Sequence, residues 1–60
     1  MKNKIRADFN TLCSSRALLL TVTPVKFIDN KFFCTATNAD NKALVFEAAV
    51  IEGETFFEEV

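Results

Sequence analysis

The chain has 60 residues, 50% of them hydrophobic, with seven Phe, one Gly, one Pro, two Cys, no His, Tyr or Trp, and a formal net charge of -1. That is too apolar for a disordered peptide, and it allows a single domain (1–60) near the lower size limit, where only about 60% of the unfolded surface is buried on folding. The longest apolar run, Ala17-Leu18-Leu19-Leu20, is soon interrupted by Thr21 and Thr23 and falls far short of the ~20 residues of a helical membrane span.

The first element is a helix. Ile5, Phe9, Leu12 and Cys13 stand at offsets of four, seven and eight, so the spacing predicts a helix over residues 2–14 with Lys2, Arg6 and Asn10 on its polar side and Ser14-Ser15 at its exit. So short a helix is marginal alone and must be held by packing on another layer. A β-meander over residues 16–59 should supply that layer. Leu18, Leu20 and Val22 alternate with Leu19 and Thr21 in a first strand, residues 16–22. Pro24 interrupts the ladder, which makes residues 25–28 a second strand or a sharply bent continuation.

Asp29-Asn30-Lys31 and Asp40-Asn41-Lys42 repeat one turn-forming triplet eleven positions apart. Asp and Asn tolerate the backbone angles of tight turns. Between and after these turns lie residues 32–37 and residues 43–52, where Leu44, Phe46, Ala48 and Val50 alternate with Val45, Glu47, Ala49 and Ile51. Gly53 permits a last turn before residues 55–59. The expected fold is α+β, mainly β: a short N-terminal helix on a five-strand bent antiparallel sheet, or an Sm- or SH3-like small barrel whose closure would remove unpaired edges.

Catalytic patterns are absent. Acid–base candidates are limited to carboxylates, lysines and two thiols in no catalytic spacing, and Glu58 and Glu59 point to opposite faces of a strand. One glycine cannot form a phosphate loop, and Cys13 and Cys34 without histidine do not make a zinc set. No apolar segment follows the charged start Met1-Lys2-Asn3-Lys4-Ile5-Arg6, so the thiols are expected to be reduced core residues of a cytoplasmic protein. The expectation is no enzyme, no cofactor and no metal.

Binding is the alternative. Residues 1–31 hold six Lys/Arg against two Asp/Glu, and residues 32–60 hold one against six. In each of the pairs Phe32-Phe33 and Phe56-Phe57 one ring must leave the core face. Phe33 and Phe57, with the acidic Glu54, Glu58 and Glu59, are therefore the candidate partner-binding residues, facing a protein partner or another copy of the chain. Nucleic-acid binding would instead use Lys2, Lys4, Arg6 and Arg16 with an exposed Phe, but the sequence pI of about 5.2 and this single basic cluster disfavour it.

From residue 16 to 58 the order of features resembles the small β-barrel of the WYL domain of bacterial regulators. Arg16-Ala17-Leu18-Leu19-Leu20 stands where that family has an apolar strand after a basic residue, and Pro24-Val25-Lys26-Phe27-Ile28 where it has a Pro-led strand. Phe32-Phe33-Cys34 stands where its Trp-Tyr-Leu lies, and Phe46 with Val50-Ile51 follow in similar order. The resemblance places the family's ligand-gripping arginines near Leu44, Glu47 and Val50, none of which is basic. It implies a barrel that has lost an anionic-ligand pocket and binds protein instead. The expected function is a self-associating, non-enzymatic interaction or regulatory module, of a size that suits a phage or bacterial accessory protein modulating a host protein. The alternative is a nucleic-acid-binding transcriptional regulator of small-barrel type.

Overall fold

The computed structural model describes residues 1–60. Helix α1 (Lys2–Ser15) is followed by strands β1 (Leu19–Ile28), β2 (Lys31–Thr37), β3 (Ala43–Ile51) and β4 (Glu54–Glu59), hydrogen-bonded in chain order as one antiparallel sheet. The α+β, mainly β class holds, with four strands in place of five. Pro24 does not divide β1. The ladder runs through Leu20↔Ala36, shifts, and resumes at Val25↔Cys34, so residues 22–24 form a bulge on an edge strand, where a missing N–H costs no ladder bond. Across this shift Thr21 Oγ1 lies 2.8 Å from Thr35 Oγ1. No ladder joins β1 to β4, and the sheet is open rather than a closed barrel.

Each turn has a local cause. Asp29 and Asn30 both take positive φ, 52° and 62°, as a two-residue type I′ hairpin requires. Glu52 and Gly53 do the same at 53° and 79°. Between β2 and β3, Asn38 Oδ1 accepts the N–H groups of Asp40 and Lys42, each at 2.9 Å, and Asn41 supplies the left-handed residue. The helix ends at Ser15, within the expected Ser14-Ser15 exit, but the chain does not enter the first strand directly. Arg16 is its C-cap, Ala17 sits at φ 56°, and Leu18 N–H donates to the Cys13 carbonyl at 2.9 Å, the long bond of a Schellman ending. Residues 16–18 are thus spent on leaving the helix, and β1 starts at Leu19.

The helix lies on one sheet face. Ile5, Phe9 and Cys13 are buried against Val25, Cys34, Ala36, Phe46 and Ala48, with Leu12, Leu18, Leu20, Phe32, Leu44, Val50 and Phe57 partly buried around them. Phe9 is the centre: its ring lies 5.5 Å from Phe46 and 5.4 Å from Phe57, in tilted and edge-on geometries that aromatic quadrupoles favour. The helix has no side-chain N-cap, no acid in its first turn and no base in its last. Its dipole is uncompensated, so packing is what holds it. One side-chain hydrogen bond joins helix to sheet, from Thr55 Oγ1 to Asp8 Oδ2, and Lys4 Nζ lies 3.2 Å from the same oxygen.

Candidate interaction surface

The opposite face of the sheet has no helix. Alternation from the buried positions assigns Leu19, Lys26 and Ile28 of β1, Lys31, Phe33 and Thr35 of β2, Val45, Glu47, Ala49 and Ile51 of β3, and Glu54, Phe56 and Glu58 of β4 to this outer face. Its apolar side chains are well exposed: Leu19 72%, Ile51 58%, Phe56 48% and Val45 37%. A single exposed apolar residue is ordinary, but several on one uncovered sheet face form a patch of the kind that marks an interaction site.

Register arranges charge across this patch. The pairs Lys26↔Phe33, Phe33↔Glu47 and Glu47↔Glu58 make one transverse row, basic at the β1 edge and acidic at the β4 edge. Glu47 and Glu58 are direct cross-strand neighbours of like charge, an arrangement that weakens an isolated sheet. No cation within the chain relieves it, since the one ion pair is Lys4–Asp8 on the helix. Lys31 adds a second positive charge on the β2 side and Glu54 a further negative one on β4.

The sequence-derived residues divide accordingly. Phe33, Glu54 and Glu58 lie on the outer face, whereas Glu59, paired with Phe46, lies exposed on the helix side. Phe57 is placed inward, paired with Ala48 and packed on Phe9, and the open ring of the pair is Phe56. A signal for this was present in the sequence. A two-residue Glu52-Gly53 turn pairs Ile51 with Glu54, and counting back from there sets Phe57 beside Ala48, a core-face position of β3. Of the positions where the WYL resemblance would put arginines, Leu44 and Val50 face the helix and Glu47 faces outward.

The basic residues do not join the aromatic face. Lys2, Lys4 and Arg6 are exposed at the start of α1, in the other layer, and Lys4 already pairs with Asp8. Arg16 is at the far end of this 14-residue helix, about 20 Å away at 1.5 Å per residue. The thiols are core residues: burial pushes the Cys34 thiol up to about 11, with Cys13 nearby adding to it, and burial raises Cys13 as well. Such thiols stay protonated and make poor nucleophiles. Asp8 is held below the usual carboxylate range, first by the Thr55 hydroxyl and then by Lys4. No group of three or more His, Cys, Asp or Glu is placed to hold a metal ion, and no helix is long and apolar enough to cross a membrane.

Fold and surface together define a small helix-on-meander protein with one sheet face covered and one open. No protein-family model, curated protein or solved structure matches the chain.

Proposed function

We propose that this chain is a non-enzymatic interaction module of regulatory type, whose working surface is the outer face of its sheet. The observation that carries this is the uncovered patch of Leu19, Phe33, Val45, Ala49, Ile51 and Phe56, crossed by charges that find no partner within the chain. The sheet edges support a face rather than an edge as the binding element. Edge strand β1 carries Pro24 and a bulge, and edge strand β4 carries Glu54, Glu58 and Glu59, all devices that discourage strand addition.

The direct test immobilises the wild-type protein and a Phe56→Asp variant and compares what each retains from cell extract. Phe56 lies outside the core, so circular dichroism should be the same for both. A protein retained by the wild type and lost by Phe56→Asp supports the outer face as the working surface. Equal retention by both contradicts it, and retention of nucleic acid in a strongly salt-dependent way would point to Lys2, Lys4, Arg6 and Arg16 instead.

A further inference from the structure

The outer face of the sheet runs from basic at β1 to acidic at β4 along one row of side chains. We propose that two copies dock outer face to outer face about a two-fold axis parallel to the strands, with Lys26 of each copy meeting Glu58 of the other. This rests on the outer face being the working surface and adds what occupies it.

The geometry follows from symmetry. Two sheets stacked face to face can be related by a two-fold axis lying between them, either across the strands or along them. An axis across the strands lays β1 on β1 and β4 on β4 with the row order reversed, so no placement of it brings the lysines of β1 and β2 opposite the glutamates of β3 and β4. An axis along the strands lays β1 on β4 and β2 on β3. The row Lys26–Phe33–Glu47–Glu58 then falls on its own reverse: lysine meets glutamate at both ends, and Phe33 covers Glu47. In the next row Ile28 meets Phe56, an apolar pair, while Lys31 meets Ala49 and lays its aliphatic stem along it. The like-charged Glu47–Glu58 pair, unexplained in one chain, gains a cation from the second. The natural skew between aligned sheets is about 30° and preserves this order.

Size sets the strength. Four strands about 4.8 Å apart and some seven residues long at ~3.3 Å each present a face of roughly 440 Å² in projection. Two such faces bury on the order of 900 Å² in projection and more once side-chain relief is counted, the lower end of specific interfaces, so the dimer should dissociate in the micromolar range.

Sedimentation equilibrium across a concentration series, at low and moderate salt, tests this with four proteins: wild type, Lys26→Glu, Glu58→Lys and the double reversal. All these side chains are exposed and none belongs to the core. Each single reversal sets two like-charged contacts against each other in the symmetric dimer and should raise the dissociation constant about tenfold. The double reversal should return it to within about threefold of wild type. Glu58→Lys should also stabilise the monomer against urea while weakening the dimer, because it removes the Glu47–Glu58 repulsion; loss of dimer through misfolding would move both the same way. A wild-type chain that remains monomeric at millimolar concentration overturns the second copy as occupant, as does a dimer indifferent to all three variants. The broader assignment of the outer face fails separately, if Phe56→Asp leaves the retained partner unchanged.

Discussion

Phe56 and Phe57 are neighbours in β4 and belong to different layers: Phe57 packs 5.4 Å from Phe9 beneath the helix, and Phe56 stands on the uncovered face, paired with Ala49. The same truncation at the two positions should therefore have unequal effects. Phe57→Ala should cost about 2 kcal/mol of stability in urea denaturation, because it strips a ring from the edge of the core. Phe56→Ala should leave the folded monomer within about 0.5 kcal/mol of wild type and act on association instead. Equal losses at both positions would contradict the register.

Phe9 should be the position the fold tolerates least. It is fully buried and touches two other rings, and Phe→Ala at such a site costs about 3–5 kcal/mol. A domain of this length holds only about 3–9 kcal/mol in all. Phe9→Ala should consequently lose most of its near-ultraviolet circular dichroism and its cooperative melt, whereas Asn10→Ala, one position along on the exposed side, should keep both.

Of the five non-glycine residues in left-handed backbone, two are neither Asn nor Asp: Ala17 at the helix exit and Glu52 in the last hairpin. Ala17→Gly removes the clash of a Cβ there, and Glu52→Asn creates an Asn-Gly type I′ turn. Each should raise the stability to urea by about 0.5–1 kcal/mol. A loss of stability at Ala17→Gly would contradict the Schellman ending.

Stability should fall on both sides of neutrality, for different groups. The Cys34 thiol titrates at about 11 when folded and near 9.0 when exposed, so the folded chain keeps a proton that the unfolded chain releases between those values. That contribution is intact below pH 9 and is lost as the pH rises toward 11, on the order of 2 kcal/mol. Cys13 acts in the same direction. Asp8 works oppositely: its folded value is lowered, so its contribution is present above the unfolded value of about 3.8 and fades as the pH falls through the folded one. Urea melts from pH 3 to 11 should show both slopes, with Cys34→Ala flattening the alkaline one and Asp8→Asn the acid one.

Much of the fold was legible in the chain. Ile5, Phe9 and Cys13 marked the helix stripe, and the repeated Asp-Asn-Lys triplets and Gly53 marked all three hairpins, because these features act over a few residues. What was not legible depended on longer reach. Pro24 reads locally as a break, but an edge strand absorbs it as a bulge, which turns two expected strands into one and leaves too few to close a barrel. Arg16, Ala17 and Leu18 have strand-like composition and instead end the helix, since the Leu18 N–H to Cys13 carbonyl bond is a property of the helix terminus. On the outer face, Phe33 was singled out by the split of an aromatic pair and Glu54 and Glu58 by the acidity of the C-terminal strip, whereas the choice between Phe56 and Phe57 required the turn length. The basic end of the charged row, Lys26, was not distinguishable from any other lysine until the sheet aligned it with Glu47 and Glu58.

Docking of two copies through their outer faces is tested most directly by side-chain NMR shifts followed through a dilution series of the labelled wild-type protein. On dilution, the resonances of Leu19, Ile28, Phe33, Val45, Ile51 and Phe56 should move together along one binding curve, while those of the buried Ile5, Phe9, Val25 and Phe46 stay fixed. Movement confined to helix residues or to Phe27 and Val60, or no movement across the whole series, would contradict it.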